Sequence, residues 1–266
     1  MANTVFRKDS HLIQNHSKKL YLDPKTADVN FVFGAGTDYV EAVPAHKNIL
    51  SISSPVFDTM FYGSSSVQGD ISIVDASPAA FKEFLQFFYL TKVRLTSEHI
   101  VNVSILCKKY EVTEALKLCE EPLQKSFTID EMCSGYALAI LLELTNTMQF
   151  CEVMIIQHGD EILKLASFLE CNCDTLDNII LLVASKCSAS DRVDACMAWA
   201  KAECERKNLE ETPANLKAQL GHSFANIPFA ELNRNQFQQF MATYNGFLNE
   251  SDLAEIVSKI IFFRLK

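Results

Sequence analysis

Glycine is scarce in this chain, with eight in 266 residues. Backbone-built ligand cradles depend on glycine. The sequence contains no Gly-x-Gly-x-x-Gly, no phosphate loop, no Gly-x-Ser-x-Gly and no His-Glu-x-x-His. Acids abound, so a chance carboxylate pair is nearly guaranteed, and without a pocket it gives no acid/base argument. No catalytic, cofactor-binding or metal-ligating residue is therefore assigned, no cofactor is expected, and the chain is expected not to be an enzyme. Tryptophan occurs once, and the aromatic content comes mainly from 19 phenylalanines. That balance suits core filling better than stacking on bases or sugars. A Lys/Arg block is also missing, and the formal net charge is −9. Wrapping phosphate backbones needs a basic face, so no nucleic-acid partner is expected. Lys8, Lys18 and Lys19 read as a solvated helix face. No apolar signal core follows Met1, and no apolar run reaches the roughly 20 residues that cross a bilayer. The densest run, Tyr136 to Leu142, is short and meets Glu143. A soluble, cytosolic protein without a membrane partner is the expectation.

What is present is apolar mass. Hydrophobic residues make up 48% of the chain, enough to fill one large or two ordinary domains. The nine cysteines are an odd number. Cys107, Cys119, Cys133, Cys187 and Cys196 fall at apolar positions of helical patterns, as free core thiols do in reducing compartments. Cys171-Asn172-Cys173 is the one close pair. Zinc would want a second pair or spaced histidines, and Cys187, Cys196 and Cys204 do not supply it. His46 reads as a packing or hydrogen-bonding residue.

Strand signals are confined to the first hundred residues. Ser10 to Leu22 reads as a helix with Leu12, Ile13, His16 and Leu20 on one side, ended by Asp23-Pro24. Val29, Phe31 and Phe33 alternate with Asn30 and Val32, as in a strand with one strongly buried face. Gly34, Gly36 and Asp38 supply turn chemistry, and Tyr39 to Val43 returns antiparallel. Ser54-Pro55 restarts a helix with Ser54 as N-cap. A polar loop, Tyr62 to Gly69, leads to a strand at Ile71 and Ile73. Ser77-Pro78 caps a helix carrying Phe81, Phe84, Leu85, Phe88 and Tyr89 at helical spacing. Val93 to Leu95 reads as a short strand or extended link. From Thr128 onward the periodicity is helical: Asp130 to Leu144, Gln149 to Phe168, Thr175 to Ala184, Ser190 to Lys207, Pro213 to Phe224, Asn233 to Tyr244 and Ser251 to Phe263. No Gly/Ser-rich linker separates the halves.

Three segments carry a resemblance: Ala27-Asp28-Val29 opening a strand, Ala45-His46-Lys47 turning into a helix, and Ser54-Pro55-Val56-Phe57-Asp58-Thr59-Met60-Phe61. With Phe84 to Val93 and Lys108-Lys109-Tyr110, they resemble the BTB (POZ) domain over about residues 8 to 125. A second resemblance lies in Cys196-Met197-Ala198-Trp199-Ala200-Lys201-Ala202-Glu203-Cys204, in Ile227-Pro228-Phe229-Ala230-Glu231-Leu232 and in Gly246 to Leu253. These look like the BACK domain, with an order closest to BTB-BACK proteins that end in a PHR β-sandwich. The chain is expected to end after its BACK-like part, with no sandwich and no kelch repeats.

The resemblance implies an α+β BTB/POZ domain over residues 8–125, a small sheet covered by helices, then an all-α BACK-like domain over 126–266. It implies a non-enzymatic adaptor that pairs with itself or with related BTB proteins, binds cullin-3 of a ubiquitin ligase and recruits an unknown protein substrate. The alternative is a dimerising scaffold without a cullin. By analogy the dimer interface would draw on Leu12, Ile13, Leu20, Asp28 and Lys47. Cullin contact would draw on Tyr62, Ser66, Val67, Gln68, Tyr89 and Leu123. Cullin-binding relatives often place a hydrophobic residue, any residue and then Glu in the loop after the Met-Phe pair. Here Val67 fills the apolar role, and Gly69 stands where the acid belongs.

Overall fold

The computed structural model describes residues 12–34, 40–64 and 66–264. The chain divides into two compact units, residues 1–126 and 127–266.

The first unit is α+β. Helix α1 (Leu12–Leu20) packs on a later helix of the same unit. Strand β1 (Val29–Phe33) buries Val29, Phe31 and Phe33 on one face, as its alternation requires. Strand β2 (Glu41–Ala45) pairs with it antiparallel, with Phe31 opposite Val43. Pro44 sits on this outer strand, where a missing backbone donor is tolerated. Helices α2 (Lys47–Ser53) and α3 (Pro55–Tyr62) follow, separated at Ser54. The Ser54 hydroxyl accepts the Phe57 N–H at 3.1 Å and donates to the Tyr110 carbonyl at 2.6 Å. Strand β3 (Ile71–Ile73) joins β1 in parallel, so the sheet order among the described residues is β2-β1-β3. Helices α4 (Pro78–Tyr89), α5 (Ile100–Lys109) and α6 (Thr113–Ser126) complete the unit. The core is aromatic: the Tyr110 ring stacks on Phe57 at 4.2 Å and on Phe84 at 5.6 Å, and Phe31 lies 4.6 Å from Phe81. Val93 to Leu95 is an extended link, not a strand. Gln86 holds it by accepting the Arg94 N–H at 2.8 Å and donating to the Arg94 carbonyl at 3.1 Å.

Among its described residues the second unit is helical. Its helices are α7 (Met132–Leu142), α8 (Thr145–Gln157), α9 (Gly159–Ile162), α10 (Ala166–Glu170), α11 (Cys173–Leu182), α12 (Ala189–Arg206), α13 (Pro213–Leu220), α14 (Arg234–Thr243) and α15 (Glu250–Arg264). The periodic run Gln149 to Phe168 is not one helix but the end of α8, α9 and part of α10. A Cβ at Gly159 would stand 2.8 Å from the Cys187 sulfur, so the chain changes direction where only glycine allows that approach. Pro213 to Phe224 likewise stops being α-helical at Leu220, because Gly221 takes a positive φ of 51°. Trp199 is buried, and its indole N–H donates to the Cys171 carbonyl at 2.9 Å. Phe240 of α14 packs ring against ring with Phe229 and Phe247.

Candidate functional site

Two places in the first unit gather the residues singled out by sequence. At the first, β1 is anchored to the start of α2. The Asp28 carboxylate accepts the Lys47 N–H at 2.8 Å, satisfying one of the helix's orphan donors. The Lys47 ammonium lies 5.8 Å from the centre of the Phe61 ring. Asp28 and Lys47 are thus joined within one subunit. Beside them His46 bridges two side chains. Its N–H donates to the Tyr89 hydroxyl at 2.9 Å, Nδ1 lies 3.2 Å from the same oxygen, and Nε2 lies 2.9 Å from the Thr26 hydroxyl. Thr26 in turn donates to Asp23 at 2.8 Å. Burial, opposed in part by the His46 N–H bond, pushes the Tyr89 phenol up to about 12.

The geometry places two of the residues assigned to cullin contact in the interior. Tyr89 is 3% exposed, with its hydroxyl accepting the His46 N–H. Leu123 is fully buried as well. Helical spacing puts Tyr89 on the apolar face of α4, and that face turns inward. Leu20, at the end of α1, is half-buried, and the next residue, Tyr21, donates its hydroxyl to the Lys82 carbonyl of α4 at 2.8 Å. The side chains of Leu12 and Ile13 lie outside the described residues.

The second place is the loop after α3. The Gly63 N–H donates to Thr59 at 2.9 Å and the Val67 N–H to Met60 at 2.9 Å, folding the loop back on the helix end. Tyr62 and Val67 remain exposed there, at 58% and 40%. Ser66 is half-buried and accepts from the exposed Gln68 amide at 3.3 Å. Gly69 has φ +82°, so any L side chain placed there is strained. Sequence reasoning had located the loop but not this restriction, which is a backbone property. Among the described residues no group of three His, Cys, Asp or Glu is arranged to hold a metal ion. No described helix is long and apolar enough to cross a membrane.

Residues 18–127 match the family model described as the BTB/POZ domain. The chain is 31% identical over 212 residues to human BTB/POZ domain-containing protein 6, covering 79% of this chain and 39% of that protein. It is 28% identical over 212 residues to human BTB/POZ domain-containing protein 3, covering 79% and 40%. It spans about two fifths of the length of these curated relatives. Both alignments are longer than the first unit and so run into the helical second unit. A structural likeness to the BTB domain of zebrafish PATZ1 has a TM-score of 0.38 at 21% identity, covering 46% of this chain and 99% of that one.

Proposed function

From the premise that this chain belongs to the BTB/POZ-domain proteins, we propose that it is a dimeric adaptor that brings a protein substrate to cullin-3. The BTB/POZ match over residues 18–127 carries this reading. BTB/POZ domains are protein-interaction modules, generally without enzymatic activity. The finer assignments are ours: a BTB domain over residues 8–125, a BACK-like domain over 126–266, and a cytosolic location. The helical character of the second unit supports the BACK-like assignment.

The proposed dimer uses Leu12, Ile13 and Leu20 of α1, with Asp28 and Lys47 shaping the adjoining surface. Light scattering at micromolar concentration should give twice the chain mass, and the double variant Leu12→Asp, Ile13→Asp should give the single mass. A wild-type monomer would refute the dimer.

The proposed cullin contact is the loop with exposed Tyr62, Val67 and Gln68 and half-buried Ser66. The loop lacks the acid, and a missing hot-spot carboxylate costs roughly 1–3 kcal/mol. Wild-type binding should therefore be weak. Gly69→Glu would introduce the acid but strain the backbone by about 1–2 kcal/mol. Gln68→Glu introduces it without that penalty and should strengthen cullin-3 retention. The second reading, a scaffold without a cullin, is favoured by the same loop: its Gly69 backbone opposes the side chain that cullin binders place there.

A further inference from the structure

The second unit holds a groove of about 420 Å³ between the α9–α10 turn and one face of α12. Its floor is apolar, made by Leu163 and Leu169 on one side and Ala195 and Ala198 on the other. The two alanines leave the space that larger side chains would fill. Asp160, Asp191 and Asp194 line the same groove. On α12 the spacing 191, 194, 195, 198 puts the acids and the alanines on one face.

The acids are not neutralised from within. Asp191 accepts the Ser188 hydroxyl at 2.6 Å, an N-cap contact that leaves its charge in place. Asp194 has neither an ion pair nor a hydrogen bond among the described residues. Burial and the neighbouring Asp191 carboxylate push the Asp194 carboxyl above its ordinary range. The one base in the groove, Lys164, makes no ion pair among the described residues. The surroundings deepen the imbalance. Residues 127–266 contain 19 Asp and Glu against 11 Lys and Arg, so all but one of the chain's nine net negative charges fall in this unit.

An apolar floor ending in unpaired carboxylates is complementary to one kind of side chain, an aliphatic stem that ends in a cation. We infer that this groove docks an arginine or lysine presented by a peptide segment of a partner protein, next to an aliphatic residue that covers Leu163 and Leu169. The stem would lie along Ala195 and Ala198, and the head would reach Asp191 and Asp194. The inference rests on the interaction-module reading only in taking a protein as the occupant.

The test is selection of a random dodecapeptide library on the purified full chain, followed by anisotropy titration of the enriched peptides. Enriched peptides should carry Arg or Lys beside an aliphatic residue. Their Kd should rise about tenfold or more with Asp191→Asn plus Asp194→Asn. It should rise similarly with Ala198→Leu, which fills the floor and keeps the charge. Glu210→Gln plus Glu211→Gln, elsewhere in the same unit, should leave Kd unchanged. Melting curves confirm that each variant folds. Absence of enrichment, enrichment of peptides without a basic residue, or equal binding to all variants would each overturn the groove. None of these readouts involves cullin-3 or dimer mass, so the groove and the adaptor reading fail separately.

Discussion

At the scale of single residues, Ser54 does two jobs with one hydroxyl: it caps α3 and ties that cap to the Tyr110 carbonyl. It is 1% exposed, so its loss strands a buried donor and a buried acceptor. Ser54→Ala should lower unfolding free energy by about 2 kcal/mol, measured by urea denaturation. Tyr89→Phe removes the oxygen that receives the His46 N–H and should cost about 1–3 kcal/mol. An unchanged denaturation midpoint would mean the bridge carries nothing. The N-cap was legible in Ser54-Pro55, because a cap needs only its own residue and the next three. The second bond of Ser54 was not, since its partner lies 56 positions away. Tyr89 shows the same limit. Helical spacing reveals that a side chain is on the apolar face, but whether a partner or the domain's own histidine receives it depends on tertiary packing.

At the scale of elements, pattern was strongest where one face is buried. The alternation of Val29, Phe31 and Phe33 appears directly as β1, and the cap at Ser77 starts α4. Pattern failed where an element is interrupted by a contact from afar. The run from Gln149 to Phe168 keeps helical spacing, but the close approach of Cys187 and Val183 to Gly159 decides the break. Gly159→Ala puts a methyl group within 2.8 Å of sulfur and 3.0 Å of Val183. It should destabilise the second unit by about 1–3 kcal/mol; a neutral result would show that these side chains can retreat. The extended link at Val93 to Leu95 was half legible. Its sequence gave extension, while the amide of Gln86, eight residues earlier, occupies the backbone groups a neighbouring strand would use. The loop of the candidate site was located by its polar composition, and only the backbone at Gly69 explains why the acid is unwelcome there.

At the scale of the whole molecule, burial of thiols predicts a pH response. Burial pushes Cys133 up to about 11 and Cys171 and Cys196 up to about 12, from an ordinary value of 9.0. Above pH 9 the unfolded chain sheds these protons while the folded chain keeps them, so the folded state binds more protons and stability falls as pH rises. These groups leave stability flat below pH 9 and erode it as the pH rises above 9. Chemical denaturation under reducing conditions at pH 8, 9 and 10 would check it; rising stability across that interval would contradict the sign. The central claim concerns function, and retention of cullin-3 by the purified full chain tests it most directly. Wild type should capture cullin-3 weakly and Gln68→Glu more strongly. Failure of both proteins to capture cullin-3, with each folded and dimeric, would contradict the adaptor and leave the scaffold in its place.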